Sequence, residues 1–207
     1  MGFSTLIDIL GSTIIGSLLL LILFRINDAA IENTYTFSGE LQVQEGLVEA
    51  VTIIEHDFRK MGYCETWENM PDPTNSIIYA DVDRISFLTD VPVSVGGTGD
   101  GVIDTLHYYV GPTSELSNTD NPNDRFLYRV VNSATPKGAN IGITLFKLTY
   151  FDSFGKVLPT PIYGAATGAI HSLQIDVEIE SVNGYNKQYP SVFWRQIRLA
   201  ARNLRNR

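Results

Sequence analysis

Ile9-Leu10-Gly11-Ser12-Thr13-Ile14-Ile15-Gly16-Ser17-Leu18-Leu19-Leu20-Leu21-Ile22-Leu23-Phe24 contains no charged residue. One acid, Asp8, stands immediately before it, and the first base of the chain, Arg25, immediately after. Counted from Phe3, the apolar segment has about 22 residues. As a helix it reaches roughly 33 Å, the thickness of a bilayer core. A cleaved signal peptide has a basic start, an apolar centre of about 7–15 residues and a small-residue cleavage site. Here no Lys or Arg precedes Arg25, the run is longer, and Arg25-Ile26-Asn27-Asp28 does not read as a cleavage site. A retained helix over 3–24, serving as membrane anchor or assembly element, is expected. An acid in such a helix costs about 2.5–3.5 kcal/mol at a membrane centre. Asp8 therefore either marks the membrane edge or meets a positive group of a neighbour, such as a free N-terminal amine.

The whole chain has 207 residues and a net charge of −8, from 23 acids and 15 bases. One domain beyond the helix is the default at this length. The acidic balance argues against nucleic acid as the main partner, because no general phosphate-neutralising field exists. Five of the bases, Arg195, Arg198, Arg202, Arg205 and Arg207, fall in the last 13 residues. They read as a solubilising terminal face, or as a contact for acidic surfaces of neighbouring subunits. Cys64 is the single cysteine. It excludes an intrachain disulfide and reads as a small buried hydrophobe.

Residues 1–62 form the N-terminal helical region and 63–207 a β-rich head domain. Asn33-Thr34-Tyr35-Thr36-Phe37-Ser38-Gly39 is poor helix material, so a break over 33–39 is expected. From Glu40 the pattern is helical again. Leu41, Leu47, Val48, Val51, Ile54, Phe58 and Met61 form one stripe opposite Glu45, Glu49, Glu55 and Lys60, and Gly62 is a natural C-cap. Short β-type runs follow. Residues 76–80 and 84–88 read as a hairpin around Asp81-Val82-Asp83, and further strands cover 105–110, 126–131 and 143–151. The last of these ends in an Asp152-Ser153-Phe154-Gly155 turn. From His171 to Ser181 the alternation is clean, with Leu173, Ile175, Val177 and Ile179 inward and Gln174, Asp176, Glu178 and Glu180 outward. Residues 191–201 are expected to pair with it. The fold class is α+β: a long hydrophobic-then-amphipathic helix packed on a mostly antiparallel sheet.

No pattern carries catalysis, so no enzymatic activity is expected, and no cofactor or metal. His56, His107 and His171 have no paired ligand spacing. Gly96-Gly97-Thr98-Gly99-Asp100-Gly101 lacks the Lys-Ser/Thr of a phosphate loop and leads into a strand, so it reads as a flexible turn. Residues 113–124 carry acids and asparagines but match no calcium loop, and read as solvated.

These pieces resemble the type IV pilin and type II secretion pseudopilin superfamily, over most of the chain. Gly2-Phe3-Ser4-Thr5-Leu6-Ile7-Asp8-Ile9-Leu10 looks like the segment that starts mature pilins. Asp57-Phe58-Arg59-Lys60-Met61-Gly62-Tyr63 resembles the end of the long helix in larger minor pilins and J-type pseudopilins. Arg84-Ile85-Ser86-Phe87 and Leu106-His107-Tyr108-Tyr109 are similar to their first strands, and residues 148–158 to their Tyr-x-Asp-x-x-Gly turn. Arg198-Leu199-Ala200-Ala201-Arg202-Asn203 looks like their last strand end. The acid departs from the family in being Asp, and it is sixth counted from Phe3. The proline often found within the membrane segment is absent, and Gly11 and Gly16 offer softening in its place. The resemblance implies a pilin-like fold and a structural subunit of a pilus-like filament, cell-surface or periplasmic. Such a subunit waits in the inner membrane and is extracted by pilus or secretion assembly machinery. Copies of the chain then pack through their N-terminal helices, with Phe3, Asp8, Arg25, Asp28 and Glu32 at the assembly contacts. The alternative is a membrane-anchored β-rich binding module, or a minor pseudopilin that forms no long filament.

Overall fold

The computed structural model describes residues 2–92, 97, 99–182 and 189–199, with side chains through 196. Helix α1 runs Gly2–Arg59 as 58 residues without interruption, about 87 Å long. The expected break over 33–39 is not there. Thr34 Oγ1 donates to the Ala30 carbonyl at 2.8 Å and Thr36 Oγ1 to the Glu32 carbonyl at 2.9 Å, so the hydroxyls satisfy themselves on the preceding turn instead of opening it. Gly39 marks a contact, not a break. A Cβ there would meet Ser181 Oγ at 3.4 Å and Pro190 Cγ at 3.6 Å, where α1 first reaches the sheet.

The head is one eight-stranded sheet. Its strands are β1 (Ile77–Ala80), β2 (Arg84–Thr89), β3 (Asp104–Val110), β4 (Arg125–Val131), β5 (Gly138–Phe151), β6 (Ile162–Tyr163), β7 (Ser172–Glu180) and β8 (Ser191–Leu199). They lie in the order β6-β1-β2-β3-β4-β5-β7-β8, and the neighbours pair antiparallel throughout. The α+β fold class is therefore as the sequence predicts. The 81–83 hairpin is present, with Ala80 opposite Ile85, and β8 pairs with β7 as expected.

The lower half of α1 covers the sheet's inner face. Its buried positions are Val43, Leu47, Ala50, Ile54, Asp57 and Phe58. Leu41 and Val48, assigned to the stripe by sequence, stay exposed at 49% and 65%. The true stripe is rotated toward the small Ala50, which lets the helix sit close to the strands. Phe58 packs edge-on against Phe87 and Tyr108, with ring centroids 5.5 and 5.3 Å away. The helix ends at Arg59, and Gly62, with φ +70°, turns the chain so that its N–H reaches the Leu88 carbonyl at 2.9 Å. A Cβ at Gly62 would lie 2.8 Å from the Pro73 carbonyl oxygen, so glycine is required there on two counts.

Single residues in two polar segments expected to face water are buried. In β7 the inward residues Leu173, Ile175, Val177 and Ile179 are buried as expected, but Asp176 is buried too. Cross-strand Arg195 closes over it with Nε at 2.6 Å, and Gln174 bonds both carboxylate oxygens. The 113–124 loop is also tied down. Buried Asn121 donates to Glu180 Oε2 at 2.8 Å and to the Ser181 carbonyl at 3.2 Å, and Thr119 Oγ1 donates to Asp124 at 2.9 Å.

Candidate functional site: the projecting apolar helix

Packing on the head begins only where α1 reaches Gly39 and Val43. Above that point, roughly 55 Å of helix stands clear of the sheet. Phe3 is 81% exposed, and the large aliphatic residues from Leu6 to Ile26 are exposed with it. This is the one helix among the described residues long and apolar enough to cross a membrane. An exposed apolar surface of this extent marks a membrane or protein contact.

Three of the segment's hydroxyls need no outside partner. Ser12 Oγ and Thr13 Oγ1 donate to the Ile9 carbonyl at 2.9 and 2.8 Å, and Ser17 Oγ to the Thr13 carbonyl at 2.8 Å. Such back-bonding lets hydroxyls enter lipid or a dry protein interface without leaving a donor unmet. The charges are different. Asp8, Arg25, Asp28 and Glu32 are all exposed, and none makes an ion pair among the described residues. Arg25, Asp28 and Glu32 fall at i, i+3 and i+7 and share one face just past the apolar run. Asp8 stands alone, about 25 Å further along.

Sequence reasoning missed what fastens this helix to the head. Asp57, 6% exposed, accepts from Tyr108 Oη at 2.5 Å and from Arg129 Nε at 2.6 Å on one oxygen, while His56 Nδ1 lies 3.3 Å from the other. Burial, followed by the Asp57 charge, pushes the Tyr108 phenol well above its ordinary range, so it stays a donor. The signal was a lone acid on the inner face, one turn from Ile54 and beside Phe58.

A second fixed point underlies the glycine-rich segment. Asp90, fully buried, accepts the backbone N–H groups of Glu65 (3.0 Å), Asp100 (3.0 Å) and Gly101 (2.9 Å), and the Cys64 thiol lies 3.8 Å away. Residues 93–96 and 98 lie outside the described residues. Gly99 and Gly101 take positive φ, and a side chain at Gly99 would collide with the Asp90 carboxylate. The backbone of Glu65, Asp100 and Gly101 thus forms a cradle for an internal anion, and Gly99 leaves room for it. Burial alone would raise the Asp90 carboxyl, but the three N–H groups outweigh it and hold it below the ordinary range. Burial also raises the Cys64 thiol, a buried residue as expected.

A pH signature follows from this cradle. A depressed folded pKa contributes stability above the unfolded value of about 3.9, lost as pH falls through the folded value. Asp90→Asn is expected to cost about 1–3 kcal/mol at pH 7, because an amide cannot accept all three donors without facing one with its own N–H. The gap in thermal midpoint between wild type and variant then narrows as pH falls below the unfolded carboxylate value of about 3.9 and on through the depressed folded value. Melting curves from pH 7 down through the acid range check this; wild type and Asp90→Asn of equal stability at pH 7 would refute the cradle.

Ser86 Oγ lies 2.7 Å from His107 Nδ1 across the β2–β3 register. Among the described residues no carboxylate bonds the other ring nitrogen, and no group of three His, Cys, Asp or Glu side chains converges. Of the terminal arginines, Arg195 is engaged with Asp176. The side chain of Arg198, and Arg202, Arg205 and Arg207 entirely, lie outside the described residues, as does the end of the 198–203 motif.

No protein-family model matches the chain, and no curated protein matches it. Among solved structures it is similar to a type IV-like pilin from Thermus thermophilus, with a TM-score of 0.47 and 10% sequence identity, over 78% of this chain and 97% of that one.

Proposed function

We propose that this chain is a structural subunit of a type IV pilus-like filament that polymerises through the upper half of α1. The observation that supports it most is the projecting helix: apolar, unpacked, continuous with a helix clamped to the head, its hydroxyls internally bonded and its charges without ion-pair partners among the described residues. Before assembly this segment resides in the inner membrane. On extraction by a pilus or secretion machine it exchanges lipid for the same segment of other copies, with no loss of apolar burial. At about 25 cal/mol per Å2, leaving this surface in water would be costly, which holds the segment in lipid until it enters the filament core. The sheet domains then tile the outside of a cell-surface or periplasmic fibre, and the role is mechanical, not catalytic.

Electron microscopy of material sheared from cells tests this. Thin fibres are expected whose mass-spectrometric content includes this chain and which vanish on deletion of its gene. Recovery of the chain solely in detergent-soluble membrane, with no fibres, overturns the proposal in favour of a membrane-anchored module.

A further inference from the structure

From Gly2 to Glu55, α1 carries seven acids and one base, Arg25. Asp8 is the single acid within the projecting apolar stretch before Arg25, and it has no ion-pair partner among the described residues. Resting on the filament reading above, we infer that Asp8 of one copy is paired by Arg25 of the next, the two helices running parallel and offset by 17 residues.

Within one helix the two side chains lie about 25 Å apart and cannot meet. When the surface around Asp8 is buried against another copy, water is lost and the carboxylate needs a cation. The single cationic side chain that a second α1 offers anywhere in this span is Arg25, and a guanidinium suits a partly dry carboxylate pair. Seventeen residues at about 100° each place Arg25 about 100° around the helix from Asp8. The two charges therefore face different neighbours, as a head-to-tail contact requires. Small residues flank both: Gly11 and Ser12 lie one turn from Asp8, and Ala29 one turn from Arg25, so the backbones approach closely there. Such a contact does not close. Each added copy leaves a free Asp8 at one end and a free Arg25 at the other, so one pairing rule specifies both the axial step, about 25 Å, and open-ended growth.

The test uses the full chain with Ser12→Cys and Ala29→Cys combined. Both positions are exposed, and native Cys64 is buried. In one helix the two cysteines sit about 25 Å apart, well beyond the about 7 Å between Cα atoms that a disulfide tolerates, so any bond joins two copies. Mild oxidation of fibres is expected to give a ladder of dimers, trimers and longer species on non-reducing gels, and each single variant none. Normal fibres without a ladder overturn the offset. A band that stops at dimer overturns head-to-tail growth. An antiparallel pair, which brings position 12 opposite position 21, gives no ladder and likewise overturns it. If wild-type cells make no fibres, the filament reading itself fails. Charge exchange reads the same contact independently: Asp8→Arg and Arg25→Asp are each expected to cut fibre yield at least tenfold, and the double variant to restore it. A double variant no better than the singles overturns the pairing.

Discussion

Asp57→Ala is expected to lower the stability of the full chain by about 2–4 kcal/mol, read as a drop of about 5–15 °C in the melting temperature of the head domain in detergent. Asp57 sits on the face of α1 that meets the sheet, and its Oδ2 accepts from both Tyr108 Oη and Arg129 Nε. Alanine leaves a phenol buried without an acceptor and a guanidinium without a counter-charge. Breaking one side of a buried pair costs about 3–5 kcal/mol; the Arg129 side chain keeps 35% of its surface in water, which takes the expected figure to the lower range. Tyr108→Phe removes one donor and orphans no charge, so it is expected to cost about 1 kcal/mol. Asp57→Ala combined with Arg129→Met removes both charges and is expected to recover part of the loss. A melting temperature for Asp57→Ala within 1 °C of wild type would show that the clamp does not fasten the helix.

That clamp also shows where the sequence was legible and where it was not. Strand periodicity is a local signal, and β7 reads directly from Leu173, Ile175, Val177 and Ile179 because every second residue must enter the core. Asp176 obeys the same alternation, yet its burial depends on Arg195 arriving from the next strand, which no local pattern encodes. The helix stripe was misplaced by a fraction of a turn. Leu41 and Val48 are larger apolar residues than Ala50, and hydrophobicity ranks them first, although close packing against the strands favours the small residue. Asp57 has no legible role in the sequence, since an acid on an apolar face is interpretable only once Arg129, 72 residues away, stands opposite. The 33–39 break failed for a similar reason. Intrinsic propensity is a weak prior, and the hydroxyls of Thr34 and Thr36 found acceptors within the helix. Phe3, Asp8, Arg25, Asp28 and Glu32, expected at assembly contacts, lie exposed on α1, and their exposure is what the structure adds.

Asp8→Ala is expected to abolish fibres, cutting the yield of sheared filament at least tenfold, while the head domain keeps its wild-type melting temperature. The two ends of α1 are energetically separate: Asp8 makes no contact with the sheet, and buried packing starts at Val43. Side chains this far apart without shared partners act independently on stability. What gives the variant its discriminating power is the opposite sign of its effect in the two environments. Within a bilayer, removal of a carboxylate from an apolar helix improves insertion by up to about 2.5–3.5 kcal/mol. A simple membrane anchor therefore tolerates Asp8→Ala or is retained more firmly. In a packed bundle of copies the same change strands the cation that Asp8 had neutralised, a penalty repeated at every subunit contact along the fibre. Asp8→Glu keeps the charge and is expected to retain a measurable share of assembly, and Asp8→Asn, which keeps shape but not charge, to fail like alanine. Full wild-type fibre yield from Asp8→Ala, with the protein equally abundant in membranes, would mean that the acid has no role in assembly and that the upper half of α1 associates through its apolar surface alone.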